Sequence, residues 1–211
     1  MQTPGSASQA RRPVHRYDLR VAESPPTTEN NASTPVHTPG DPDAPNLRIG
    51  HGYALHRLEP IAPAGPGRPL ILGGIPLAHD RGPVAHSDGD ALYHAVTDAL
   101  LGALTQPDIG QLFPNDDPRN DAEDSEIFLT EAARRVAAAG YQIANLDTTV
   151  ILERPKLSPH KDAIRTNLAR VLALPLDCVN VKGKTHERVD AVGEGRAIEV
   201  HAVVLLTRRA I

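Results

Sequence analysis

Between His86 and Ala103 the chain places Leu92, Ala95, Val96, Ala99, Leu100 and Ala103 at helical spacing, so one apolar stripe must face a core. Ser87 or Asp88 is expected to cap the first turn, with Asp90 inside that turn facing the positive end of the helix dipole. Asp90, His94 and Asp98 follow at four-residue steps and so stack on one face of the same helix. Such a column is costly beside a packed stripe unless it binds something; otherwise it is a partly wet acidic face with an incidental histidine. A second histidine-bearing stretch near Gly52 weighs toward binding.

The 211 residues suit one domain of ordinary size plus an appendage. With 40% hydrophobic residues but only four Tyr, two Phe and no Trp, the core has to be aliphatic. A net charge of -4 gives no reason to expect nucleic acid. The single Cys178 allows no intramolecular disulfide and falls short of a cysteine-based zinc site. No apolar run is long enough to cross a bilayer, so no membrane partner is expected. Residues 1–46 are dense in Pro, Ser, Thr, Asn and Gly, lack aliphatic periodicity and are expected to be a disordered tail. Arg11, Arg12 and Arg16 fall in an acid-free start that resembles an organellar transit peptide, which sets the boundary of a folded domain at 47–211.

Within that domain, residues 48–56 read as a strand whose period of two puts Ala54 and His56 on one face. A Pro/Gly loop over 57–68, a short strand over 69–73 and a connection over 75–85 lead into the central helix. Residues 108–118 read as an acidic, proline-bearing loop. A second helix shows Ile127, Leu129, Ala132, Ala133, Val136 and Ala137, with Gly140 placed to end it. A strand over 142–153, a turn over 154–160 and a third helix facing Ile164, Leu168, Val171 and Leu172 inward come next. Strands over 179–182 and 197–207 close the chain. The pattern suits an α+β fold, a mixed β-sheet with helices packed on one face.

His56 and His94 lie on different elements, and two imidazoles with a carboxylate and an open position form the ligand set of a catalytic zinc site. Lys156, His160, Lys182 and Lys184 could hold phosphate or be solvated surface cations. Thr185 and Glu187 follow a strand end, where site residues gather. Asp147 and Thr149 are given no role.

Seven segments carry a resemblance, in order, across residues 47–208: Arg48-Ile-Gly-His-Gly-Tyr, Leu72-Gly-Gly, Ala85-His-Ser-Asp-Gly-Asp, Asp98-Ala-Leu-Leu-Gly-Ala, Asp108-Ile-Gly-Gln-Leu-Phe-Pro, Pro155-Lys-Leu-Ser-Pro-His and Val179-Asn-Val-Lys. On these the chain resembles the 2-C-methyl-D-erythritol 2,4-cyclodiphosphate synthases of the non-mevalonate isoprenoid pathway. Leu55-His-Arg-Leu-Glu-Pro and Lys184-Thr-His-Glu-Arg-Val-Asp are closest in wording to plant and algal members, which supports plastid targeting; without a transit peptide the protein would be cytoplasmic.

The resemblance implies a homotrimer with active sites between subunits. It implies conversion of 4-diphosphocytidyl-2-C-methyl-D-erythritol 2-phosphate to the cyclic diphosphate with release of CMP. His56 and His94 match the metal-binding imidazoles, for zinc or alternatively manganese. His86 and Thr185 match transition-state positions, and Ser87 a phosphate contact. Asp108, Ile109 and Gly110 match the loop gripping the methylerythritol hydroxyls, continued by Phe113, Pro114, Asn115, Asp116 and Asp117. Leu152, Pro155, Lys156, Leu157 and Ser158 match a cytidine pocket. Lys184, Thr185, His186 and Glu187 lie beside the diphosphate in this reading, with Glu187 holding a magnesium ion. The family's first strand carries Asp two residues before the first zinc histidine, and here Ala54 stands there beside Leu55. Ala54 cannot ligate, which opens a second reading: a catalytically impaired homologue that still trimerises and binds a cytidine nucleotide, as a nucleotide-binding or structural subunit.

Overall fold

The computed structural model describes residues 45–113 and 124–209. The tail expected over residues 1–46 lies outside them except for Pro45 and Asn46, as do Pro114, Asn115, Asp116 and Asp117.

Alternation in the first strand, β1 (Leu47–Pro60), sets the architecture. Gly50, Gly52, Ala54 and Leu58 point inward, while Leu47, Ile49, His51, Tyr53 and Leu55 point out. The chain then turns through a small hairpin of β2 (Ile71–Leu72) and β3 (Ile75–Pro76) and enters β4 (Arg81–Pro83). The expected single strand over 69–73 is therefore a hairpin: Gly73 and Gly74, at φ 58° and 73°, reverse it. Next come α1 (Ala91–Ala103), α2 (Ile109–Leu112), α3 (Ser125–Ala138) and β5 (Tyr141–Ile151). The last elements are α4 (Lys161–Val171), β6 (Val179–Lys184), α5 (Asp190–Gly193) and β7 (Ala197–Arg208).

Five strands form one sheet in the order β4-β1-β7-β5-β6. β1 pairs antiparallel with β4 and β7, β5 antiparallel with β7, and β5 parallel with β6. The sheet is thus mixed, and its inward residues, including Leu146, Val150, Val181, Val200, Ala202 and Val204, pack under the helices. The outer face leaves Leu47, Ile49, Tyr53, Leu55 and Val203 exposed.

Helix α1 lies directly on β1 because two glycines let it. A Cβ on Gly52 would sit 1.8 Å from the Ala95 carbonyl oxygen, and one on Gly50 would sit 1.9 Å from that of Ala99. With no side chain between the backbones, the stripe of Leu92, Ala95, Val96, Ala99, Leu100 and Ala103 is buried as expected.

The cap differs from expectation. Asp90, rather than Ser87 or Asp88, is the N-cap of α1: its Oδ1 accepts from the backbone N–H of Leu92 and Tyr93 at 3.0 and 3.1 Å. Its Oδ2 accepts from the N–H of Gly74 at 2.8 Å, so the carboxylate ties the hairpin to the helix and is fully buried. Asp88 shapes the preceding turn, accepting from the N–H of Asp90 at 3.1 Å. In α3 the inward face runs through Ser125, Phe128, Leu129, Ala132 and Val136, while Ile127 is exposed. Ile127 is apolar like its buried neighbours, but its position about the helix axis takes it out of the core. In α4, Ile164, Leu168 and Leu172 are buried and Val171 is only partly covered.

Candidate active site

Strand β1 and helix α1 each deliver one imidazole to the same point. His56 is the inward residue two places beyond Ala54, and His94 projects from the first turn of α1 toward it. His56 Nε2 and His94 Nδ1 stand 3.1 Å apart. Two nitrogens about 2.0–2.1 Å from a shared ion subtend that separation at an angle of about 100°.

The far side of His94 fixes which nitrogen is free. Ser125 Oγ donates a short hydrogen bond to Asp88 Oδ1. Its hydrogen spent there, Ser125 Oγ accepts from His94 Nε2–H at 2.9 Å. Ser87 Oγ lies 3.3 Å from the same nitrogen. His94 is therefore the Nε2–H tautomer, and its Nδ1 lone pair faces His56. A hydrogen-bonded partner that orients a ligating imidazole in this way is what a metal ligand requires. Ser125 and Phe128 were not anticipated; the Asp124-Ser125-Glu126 start of a helix was the only signal, and it reads equally well as a plain N-cap.

These rings lie in a cleft of about 300 Å³ lined by His56, Val84, Ala85, His86, Ser87, His94, Ile109, Gly110, Phe113 and Phe128. Of the sequence-predicted residues, His56, His86, Ser87, His94, Ile109, Gly110 and Phe113 are thus brought together. The segment expected as a loop over 108–118 opens instead with the short helix α2, which is pinned to α1: Asp98 Oδ1 accepts from the Ile109 N–H at 2.8 Å. Asp108 itself caps α2, accepting from the Gln111 N–H at 3.0 Å. The expected column of Asp90, His94 and Asp98 therefore divides. Both carboxylates serve the backbone, and only the histidine lines the cleft.

Neighbouring candidates have other placements. Leu55 points to the outer sheet face and is 53% exposed, because strand alternation turns it away from its neighbour His56. Leu152 and Leu157 are buried in the hydrophobic core, so only their backbones can meet a ligand. Leu152, Pro155, Lys156, Leu157 and Ser158 follow β5, and Lys184, Thr185, His186 and Glu187 end and follow β6. The parallel pairing sets these two groups side by side, with the Leu152 N–H donating to the Lys184 carbonyl at 2.9 Å. Neither group lines the cleft that holds His56 and His94. Thr185 Oγ1 donates to Glu187 Oε1 at 3.1 Å, and His186 Nδ1 pairs with Asp190 Oδ2 at 3.0 Å. Ala54, buried beneath α1, offers no donor beside His56.

Burial pushes the His94 ring down to about 3, with the neighbouring His56 adding to the effect. Burial lowers His56 as well, opposed by the charge of Asp88. Both rings are consequently neutral, as ligation requires, throughout the neutral range. Asp90 goes the other way: burial raises it to about 7, against the pull of the Gly74 and Tyr93 amides.

The two shifts have opposite consequences for stability. An unfolded histidine binds its proton near pH 6.5, while folded His94 stays neutral down to about 3. Metal-free protein therefore loses about 1.4 kcal/mol per unit from His94 as pH falls through that window. Folded Asp90 instead keeps a proton up to about 7, so its share is lost as pH rises from 3.8 to 7. The two offset each other between about pH 4 and 6.5. Asp90→Asn removes one of them. Denaturant titrations of the chelated variant should give a stability that climbs with pH across this range, against a flatter wild-type profile; parallel profiles would refute the assignment.

The fold and cleft define an α+β protein whose sheet and helical layer jointly present a paired-imidazole site beside an open, partly apolar pocket. The chain belongs to the YgbB family, whose model matches residues 47–207. It is 56% identical over 163 residues to the chloroplastic 2-C-methyl-D-erythritol 2,4-cyclodiphosphate synthase of Arabidopsis thaliana, covering 77% of this chain and 68% of that protein. It is 50% identical over 165 residues to the synthase of that name from Burkholderia thailandensis, covering 78% and 98%. The solved CDP complex of IspF from Plasmodium falciparum superposes with a TM-score of 0.68 at 37% identity, over 78% of this chain and 98% of that one.

Proposed function

We propose that the protein converts 4-diphosphocytidyl-2-C-methyl-D-erythritol 2-phosphate to 2-C-methyl-D-erythritol 2,4-cyclodiphosphate with release of CMP, in the non-mevalonate isoprenoid pathway. Family membership and the synthase relatives support the reaction class. The observation that carries it for this chain is the convergence of His56 Nε2 and His94 Nδ1 at 3.1 Å within the cleft.

The reaction is an intramolecular phosphoryl transfer. An oxygen of the 2-phosphate bonds to the β-phosphorus as the bond from that phosphorus to the CMP oxygen breaks, and CMP departs with the electron pair. A phosphate oxyanion is already nucleophilic at neutral pH, so the protein has to fold the substrate and balance its charge rather than supply a strong base. His56 and His94 would hold a divalent ion, zinc or manganese; such an ion supplies Lewis-acid polarisation of a phosphoryl oxygen. The neutral rings and the fixed tautomer of His94 fit that group. Asp88 and Ser125 hold His94 in place, while His86 and Ser87 offer hydrogen bonds at the cleft wall. Gly110 and the Asp108 loop close the side toward the methylerythritol hydroxyls.

Leu152 to Ser158 and Lys184 to Glu187 take the cytidine and diphosphate in this reading, with Glu187 placing a magnesium ion. Since neither group lines the cleft, a homotrimer in which one subunit's loops complete a neighbour's cleft accounts for both. The exposed apolar face of Ile49, Tyr53, Leu55 and Val203 supplies a surface for such assembly. The chloroplastic names of the plant relatives support a plastid location, with residues 1–46 as the transit peptide.

The test is CMP release from the diphosphocytidyl substrate in oxygen-18 water, with sedimentation of the same sample. CMP and cyclic diphosphate in equal amounts, free of the label, from a trimer are expected. CDP binding without CMP release would establish the impaired homologue instead, and labelled product would establish a hydrolase.

A further inference from the structure

Helix α2 is four residues long, and a single turn does not hold its own shape in water. It nevertheless forms one wall of the cleft, through Ile109, Gly110 and the following Phe113. Its place therefore depends on what the rest of the chain does at its two ends. At the C-terminal end the anchors are apolar: Leu112 packs against the core, and the Phe113 ring lies 4.5 Å from that of Phe128 on α3.

At the N-terminal end the anchor is a carboxylate from another helix. Asp98 Oδ1 accepts from the Ile109 N–H at 2.8 Å, and Asp108 Oδ1 accepts from the Gln111 N–H at 3.0 Å. The two acids thus divide between them amides that so short a helix leaves without partners. Burial raises the Asp98 carboxyl above its ordinary range; the Ile109 amide opposes the rise and the charge of Asp108 adds to it. Asp98 also follows His94 by four residues, which is about 6 Å along the same face of α1. One helix therefore sets two sides of the cleft, carrying an imidazole of the pair and, a turn later, the tie to the α2 wall.

We propose that Asp98 is a positioning residue for the alcohol end of the substrate: by holding the Ile109 amide it fixes the turn from Asp108 to Gly110 relative to His94. This role rests on the function proposed above, in which that turn meets the methylerythritol hydroxyls. Asp98 touches no reacting atom and acts through the turn alone. The cytidine and diphosphate fall to other loops, so its contribution is confined to the methylerythritol part of the ligand.

Calorimetry on chelated, full-length protein tests this with two probes. One is the diphosphocytidyl substrate, which the metal-free protein binds without turning it over; the other is CDP, which lacks the methylerythritol. Asp98→Ala should weaken the substrate about tenfold or more and leave CDP within about twofold. Asp98→Asn, whose Oδ1 can accept the same N–H, should recover most of that loss. Thermal unfolding reports whether each variant folds. Should Asp98→Ala fail to fold, Asp98→Glu takes its place: the longer stem carries the carboxylate past the amide while keeping the charge, and the same selective loss is expected. Equal losses for substrate and CDP, no loss for either, no recovery in Asp98→Asn, or wild-type protein that holds the substrate no more tightly than CDP would overturn the proposal. A selective loss in a protein that releases no CMP once zinc is restored counts against the proposed reaction and leaves the role of Asp98 standing.

Discussion

Replacing Ala54 by aspartate should tighten zinc binding in the substrate-free protein by at least about tenfold. The position is inward on β1, two residues before His56 and 9% exposed, so a carboxylate there shares the face that carries the imidazole. Loss of a partner one shell further out already costs about 10–100-fold in metal affinity, and a direct donor should matter no less. The same carboxylate is a burden without the ion, because a buried unpaired charge costs stability. Chelated Ala54→Asp protein should therefore melt below the wild type, and saturating zinc should raise its midpoint by more than it raises that of the wild type. A working synthase with Ala54 requires that substrate phosphates make up for the missing ligand during turnover. CMP release at saturating zinc should then stay within about tenfold between the two proteins. A gain of several orders of magnitude in both binding and turnover would show that the chain with Ala54 is an impaired homologue.

The second large effect concerns the seam between sheet and helix. Gly52→Ala should cost about 3 kcal/mol or more, measured by chemical denaturation, and should also weaken metal binding in the cleft. The added Cβ would lie 1.8 Å from the Ala95 carbonyl oxygen and 2.6 Å from the Ala99 N, and neither backbone atom can swing aside. Relief requires α1 to lift away from β1, which parts His94 from His56. Gly102→Ala is the matched control. Its Cβ would meet only the His51 carbonyl oxygen at 3.8 Å, and a glycine inside a helix gains about 0.5–1 kcal/mol when replaced by alanine. If both substitutions had similar effects, close backbone approach would not be what seats the helix.

Periodicity made the elements legible. The stripe from Leu92 to Ala103, the alternation through Ala54 and His56 and the apolar strand after Ala197 are local patterns, and each appears where the spacing placed it. Capping was less legible. Ser87, Asp88 and Asp90 are all acceptable N-cap residues, and the choice fell to Asp90 because Gly74, from a distant hairpin, donates to its second oxygen. Ile127 shows the same limit: it is as apolar as its buried neighbours Phe128 and Leu129, but the packing of α3 leaves it on the outside. The motifs named the candidate ligands, although nothing local in Asp124-Ser125 announces a hydroxyl that would set the tautomer of His94.

By itself the sequence determined which faces are apolar, where backbone may approach backbone, and which histidines can ligate. Those properties reside in single residues and their immediate spacing. Tertiary structure alone decided which nitrogens meet. His56 and His94 are joined across separate elements by strand register and helix placement, and the hydrogen bond that His94 Nε2–H donates to Ser125 Oγ leaves the Nδ1 lone pair facing His56.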